Sequence, residues 1–208
     1  RCRPESSPDL GAWRGSSATV SRALKLIDGG ALDESDVEAI AERLGGGGRQ
    51  LRRLFRRHLG AAPVTVGQTR RVLLAKQLIH ETDLSMTDVA LASGFGSVRR
   101  FNETFQQLYR RPPSELRRQR AASKPLASGL NLTLPYRPPY DWPAMLDFLA
   151  RRAVPGVERI EDGRYIRVIE LEGEVGSIEV GDAPERGALQ ATVRFPRLAA
   201  LPAIIARM

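Results

Sequence analysis

The sequence predicts a multidomain chain: an all-α N-terminal half in which one helix-turn-helix pattern occurs twice, then a small α+β domain. Three observations predict it. Capping residues and apolar spacing around residues 35–59 return around residues 85–109. A stretch of linker composition, QRAASKPLASG at 119–129, divides the chain. Beyond it, short apolar runs between turn residues replace the long amphipathic ones. A length of 208 residues accommodates one large or two ordinary domains.

Taken in order, residues 1–15 are rich in Pro, Ser, Gly and charge and are expected to form a tail. A first helix is expected over Thr19–Asp28, with Val20, Ala23, Leu24 and Ile27 on one face and Gly29-Gly30 as its stop. Ser35 and Glu38 have the spacing of a capping box, followed by Val37, Ile40, Ala41 and Leu44 at helical spacing. Gly45 to Gly48 break that helix. The next one, about Gly48–His58, turns Leu51, Leu54, Phe55 and Leu59 inward and carries Arg49, Arg52, Arg53, Arg56 and Arg57 on its other face. Pro63 opens a long helix to about Glu81, apolar at Val72, Leu73, Ala75, Leu78 and Ile79.

The pattern then repeats. Ser85 and Asp88 form a second capping box, Val89-Ala90 stand for Ile40-Ala41, and Gly94 stands for Gly45. Phe101, Phe105 and Tyr109, on a helix of about Val98–Tyr109, match Leu51, Phe55 and Leu59. A helix-turn-helix needs small residues where its helices cross and a turn residue that tolerates positive φ. Ala41 with Gly45, and Ala90 with Gly94, meet both demands. In the last third, strands are expected at Leu130–Leu134, Tyr165–Leu171, Val175–Val180 and Leu189–Phe195, with helices at Trp142–Arg152 and from Ala199 to Arg207.

Charge points to the partner. The net charge is −2 over residues 1–44, +10 over 45–120 and zero over 121–208, so the whole excess of +8 falls on the duplicated region. Duplex DNA carries about one negative charge per 1.7 Å of axis, and a major groove admits one helix. Double-stranded DNA is the expected partner, with base or backbone contacts on Arg49, Arg52 and Arg53 in the first copy and on Arg99, Arg100 and Asn102 in the second. The lone cysteine, Cys2, excludes an internal disulfide. No apolar run reaches the roughly 20 residues of a membrane helix, so a cytoplasmic protein is expected. His58 and His80 stand near helix C-termini, where a cation is favourable. Glu170, Glu172 and Glu174 alternate as on one solvated strand face, and Tyr136, Tyr140 and Trp142 are expected to pack rather than stack bases. No catalytic residue is expected.

Three parts of the chain carry family resemblances. LGGGGRQLRRLFRRHLGAAP and VALASGFGSVRRFNETFQQLYRRPPSEL resemble the AraC-type regulators, in which two helix-turn-helix units, bridged by a long helix, enter successive major grooves. That resemblance implies a DNA-binding domain over 16–118, transcription regulation, RNA polymerase as a second partner, and action as a monomer. Three glycines, Gly46–Gly48, depart from the family's pattern and weaken the first recognition helix. Glu103 also stands where an arginine could have faced DNA. NLTLPYRPPYDWPAMLDFLARRAVPGVERIEDGRYIR at 131–167 is similar to the N-terminal domain of AlkA-type 3-methyladenine DNA glycosylases, a TATA-binding-protein-like α+β layer. It implies such a domain over 130–208, with the catalytic aspartate in a separate helix-hairpin-helix domain expected beyond Met208. Arg1-Cys2-Arg3-Pro4 resembles the end of the Ada-type methyl-transfer domain. That implies that Cys2 is one of four zinc ligands in a longer parent and that these 208 residues hold no cofactor. The whole resembles an Ada–AlkA-type fusion. The alternative is an AraC-type regulator with a C-terminal ligand-sensing domain.

Overall fold

The helical spacing of the first half becomes eight helices in a computed structural model, which describes residues 16–117 and 129–208. They are α1 (Ser16–Asp28), α2 (Ala31–Glu34), α3 (Val37–Arg43), α4 (Gly48–Leu59), α5 (Pro63–Glu81), α6 (Met86–Ala92), α7 (Val98–Tyr109) and α8 (Pro113–Arg117). The tail with Cys2, and all of the 119–129 linker except Gly129, lie outside the described residues. Both helix-turn-helix pairs, α3–α4 and α6–α7, form at the expected places with α5 between them. The short α2 was not expected, because four residues carry no periodicity.

Three local expectations are corrected. The first capping box is displaced by one residue: Asp36, not Ser35, caps α3 by accepting from the Ala39 amide at 2.9 Å, while Ser35 Oγ donates back to the Ala31 carbonyl. On α5 it is Leu74 that is buried, and Leu73 is 59% exposed. The apolar face of that helix drifts around its axis as it passes from one unit to the other. Leu59, expected inside, is 42% exposed because it ends α4 beside the left-handed Gly60.

The first unit has its own core of Val20, Ala23, Ile27, Val37, Ile40, Ala41, Leu51, Leu54 and Phe55. In the second, Phe95, Phe101, Phe105 and Tyr109 form a run of ring contacts with centroids 4.9–5.4 Å apart. Edge-to-face and tilted aromatic pairs of this kind add to simple area burial.

The C-terminal half is a five-stranded antiparallel sheet of order β1-β5-β4-β3-β2. Its elements are β1 (Leu130–Pro135), α9 (Trp142–Ala150), β2 (Glu158–Glu161), β3 (Arg164–Leu171), β4 (Glu174–Ala183), β5 (Ala188–Arg194) and α10 (Leu201–Ile205). Strand β2, sequence ERIE, was not expected, since two glutamates and an arginine mask its alternation. The hairpins β2–β3 and β3–β4 turn at Asp162-Gly163 and Glu172-Gly173, each with two consecutive positive φ values, as the two-residue turns that follow strand twist require. Glu172 therefore sits in a turn, and Glu170, Glu172 and Glu174 do not share one strand face as expected. Arg197 pairs with Glu172 and with Glu174. Trp142 is buried, its Nε1 donating to the Gly163 carbonyl at 2.9 Å, and Tyr136 stacks on Tyr140 at 4.6 Å.

The sheet and the second helix-turn-helix share one continuous core. Leu74, Leu78, Ala92 and Phe95 belong to the same cluster as Leu130, Leu132, Leu201 and Ile204. A polar clamp adds to it: Gln77 on α5 donates to the Thr133 carbonyl (2.8 Å), and Glu81 accepts from the Thr133 amide (2.7 Å). Since β1 is an edge strand, these side chains occupy backbone groups that would otherwise be open to pairing.

Phe105 is fully buried where the aromatic run meets α5. Phe105→Ala is expected to cost about 3–5 kcal/mol by loss of transfer energy and creation of a cavity. Urea denaturation followed by circular dichroism measures it, and a loss below 1 kcal/mol, the scale of a surface change, would contradict the packing described.

Candidate nucleic-acid interface

Each recognition helix is set by its turn. After α3, Gly45 takes φ +75°, and the Gly46 amide returns to the Ala41 carbonyl at 2.9 Å. After α6, Gly94 takes φ +84°, and the Phe95 amide returns to Ala90 at 3.0 Å. Both glycines occupy the left-handed region that residues with a Cβ rarely adopt. Ala41 and Ala90 are buried at the crossings.

On α4, burial of Leu51, Leu54 and Phe55 leaves Arg49, Arg53, Arg56 and Arg57 exposed. With Gly47, Gln50 and Arg52, three of these line an open groove of about 780 Å³. Among the described residues, the side chains of Arg49 and Arg53 form no ion pair. Arg52 is different: its two terminal nitrogens fork onto Glu38 of α3 at 2.7 and 2.9 Å. The hydrogen bond from Arg52 holds the Glu38 carboxyl below its ordinary range. Its contribution is therefore complete above the usual carboxylate range and fades as the pH falls through the lowered value. The pair also explains a glycine. A Cβ on Gly48 would meet Glu38 Oε1 at 2.6 Å and Arg52 Nη1 at 3.1 Å. Gly47 is another matter, since a Cβ there would meet nothing within 4 Å.

On α7, Arg99, Arg100 and Asn102 are all exposed, and Arg99 pairs with Glu103 one turn on at 2.8 Å. Glu103 thus neutralises Arg99 in the absence of DNA. Ser97 caps α7 by accepting from the Arg100 amide at 3.2 Å, whereas Gly47 gives α4 no side-chain cap. The second recognition helix thus has a side-chain N-cap that the first lacks.

All six expected contact residues thus lie on open faces of α4 and α7, with Arg52 half-buried by its partner. The α+β domain packs instead on α5 and α6 and leaves both faces uncovered. Sequence reasoning missed the two ion pairs, since Glu38–Arg52 joins separate helices. The i,i+4 spacing of Arg99 and Glu103 was legible. Among the described residues, no group of three or more His, Cys, Asp or Glu side chains stands together as a metal site, and no helix is long and apolar enough to cross a membrane. His58 Nε2 lies 2.9 Å from Ser16 Oγ, a structural contact.

Comparison with known proteins divides the chain at the same place. The helix-turn-helix domain family matches residues 40–119, and the AlkA N-terminal domain family matches residues 131–208. The chain is 36% identical, over 98% of its length, to the probable bifunctional transcriptional activator/DNA repair enzyme AlkA of Mycobacterium tuberculosis H37Rv. That alignment takes in 44% of the relative, so the chain spans less than half the length of the curated relative it matches. The HTH-type transcriptional regulator CdhR of Pseudomonas aeruginosa is 40% identical over 36% of the chain and 23% of its own length. A crystal structure of an AraC-type DNA-binding domain protein from Chromobacterium violaceum is 32% identical, covering 53% of this chain and 99% of its own, with a TM-score of 0.46.

Gly47 and Gly48, the cap and first residue of α4, separate in a simple experiment. Gly47→Ser supplies a cap and reduces the freedom of the unfolded chain, and is expected to stabilise by about 0.5–1 kcal/mol. Gly48→Ala gains the same reduction in chain freedom but no cap, and its Cβ must displace the exposed Glu38–Arg52 pair. The urea midpoint is expected to rise more for Gly47→Ser than for Gly48→Ala; equal gains would show that the pair yields freely.

Proposed function

We propose that this chain, an AraC-type helix-turn-helix domain followed by an AlkA N-terminal domain, binds double-stranded DNA sequence-specifically and regulates transcription within an alkylation-damage response. The single observation that carries this is the pair of recognition helices, each with arginines on an open face, inside the block of residues that holds the whole net positive charge. Phosphates attract such a block whatever their sequence, and arginine grips guanine O6 and N7 bidentately.

In this reading Arg53 and Arg49 search bases from α4 while Arg52, oriented by Glu38, reaches the backbone. On α7, Arg100 is free to reach a base edge, and Arg99 exchanges Glu103 for a phosphate or a guanine. One chain carries two reading helices, so a monomer suffices on asymmetric sites. Bound there, a regulator acts in the cytoplasm through RNA polymerase. The repair half of the reading rests on the AlkA N-terminal match and on the bifunctional relative. These also favour it over a C-terminal ligand-sensing domain. The whole protein's glycosylase and Ada-type methyl-transfer activities belong to this proposal, with Cys2 as one of four zinc ligands. Cys2 lies outside the described residues.

Three measurements bear on it. If about six phosphates are neutralised, log K against log salt falls with a slope near −5. Fluorescence anisotropy on a short duplex reads it, and a flat response removes DNA binding as the role of residues 45–120. Selection from a random duplex pool is expected to show Arg53→Ala relaxing base preference in one half-site, and Arg99→Ala or Arg100→Ala weakening the adjacent one, each by about 1–3 kcal/mol. Uniform weakening with unchanged selected sequences would assign these arginines to the backbone. Release of 3-methyladenine from alkylated DNA by residues 1–208 is expected to stay at background, since the resembled catalytic aspartate belongs to a domain other than the one matched at 131–208. Robust release would place catalysis within 130–208.

A further inference from the structure

The two helix-turn-helix units have separate apolar cores. What joins the first unit to the bridging helix and the second unit's turn includes a polar knot centred on Asp33 of α2. Its carboxylate accepts from Arg71 Nε at 2.6 Å and from Arg70, both on α5. The same two arginines donate to carbonyls of the first unit: Arg71 to Leu32, and Arg70 to Asp28 at 3.4 Å at the end of α1. The knot is largely closed to water, with the Asp33 and Arg70 side chains each 13% exposed and Arg71 19%.

Two glycines admit α2 to this position. A Cβ on Gly67 of α5 would meet Leu32 Cδ1 at 2.9 Å, and a Cβ on Gly94 would run into the Asp33 carboxylate itself. Gly94 is the turn of the second helix-turn-helix. Asp33, a residue of the first unit, therefore touches the bridging helix and the second unit's turn at once.

We propose that Asp33 is a positioning residue that sets the separation and angle between recognition helices α4 and α7, and with them the half-site spacing the protein accepts on DNA. Apolar packing tolerates sliding between surfaces, whereas a largely buried carboxylate between two guanidinium groups loses its partners if either element shifts. Partly buried ion pairs contribute little net stability for their cost in desolvation but can specify one arrangement. Half-sites on one face of B-DNA lie about one helical turn, 10–10.5 base pairs, apart. A rigid protein therefore accepts a narrow spacing and a loosened one a broad spacing. This rests on the DNA-binding reading above.

The test uses the two half-sites selected by the wild-type chain, with their spacing stepped in single base pairs across about one helical turn. The wild type is expected to show a sharp optimum. Asp33→Asn, which keeps the shape but not the charge, is expected to lose about tenfold of its discrimination between best and neighbouring spacings, with affinity for a lone half-site retained. Arg71→Lys, which keeps the charge but not the fork, is measured beside it, so that a variant that fails to fold does not decide the outcome. An unchanged spacing profile in the folded variants overturns the role of Asp33 while leaving DNA binding intact. A wild type that selects only one half-site overturns two-unit insertion itself, and the role of Asp33 with it.

Discussion

Everything in the helical half depends on how closely two helices can cross. The alanine at each crossing and the left-handed glycine that follows it bring α3 against α4 and α6 against α7 with no side chain between them. A larger residue at Ala41 or Ala90 would lift the recognition helix from its support, and a Cβ at Gly45 or Gly94 would strain the turn that aims it. The arginine faces follow from this geometry. Once Leu51, Leu54 and Phe55, or Phe101 and Phe105, are turned inward, the remaining positions must face outward.

Concentrating arginine on those faces carries an electrostatic cost in the free protein, and the structure offsets it locally. Glu38 holds Arg52 and Glu103 holds Arg99, one in each copy, by different geometries. Both pairs are exposed, so each adds little to stability. For Arg52 the larger effect is on orientation, since a guanidinium held in a fork has already given up much of the rotamer freedom that binding would demand, whereas Arg99 makes one contact. The two copies thus differ in kind. The second presents a capped helix with an arginine tethered to its own turn, and the first an uncapped helix with an arginine tethered to its neighbour.

Much of the fold was legible because it repeats. The Ala-to-Gly spacing and the inward apolar pairs Leu51/Phe55 and Phe101/Phe105 recur, and a pattern seen twice is hard to misread. The bounds of α5 and α7 and four of the five strands followed from apolar spacing and turn residues. What escaped had no local signal. Asp36 replaced Ser35 as a cap although both residues are extended, because α3 starts directly after Asp36 and the Ser35 hydroxyl turns back to the Ala31 carbonyl. Strand β2 is mostly charged and forms because β3 offers it an edge. Glu38–Arg52 and Asp33–Arg71 join residues 14 and 38 positions apart, beyond any periodicity. At the candidate site the open placement of the expected contact residues was legible, and so was the i,i+4 spacing of Arg99 and Glu103, whereas Glu38 on a separate helix was not.

The core shared by α5, α6 and the sheet bears on how this protein can be taken apart. A linker such as 119–129 normally marks a place where domains can be separated, exchanged or expressed alone. Here the surfaces on either side are each other's solvent shield. Leu130, Leu132, Leu201 and Ile204 cover Leu74, Leu78, Ala92 and Phe95 within one cluster. Severing the chain at the linker would leave two fragments with matching sticky faces, and a bare β1 edge on one of them. The helix-turn-helix half and the AlkA N-terminal half thus depend on each other to keep these apolar surfaces from water. The linker joins two parts that would not separate cleanly at it.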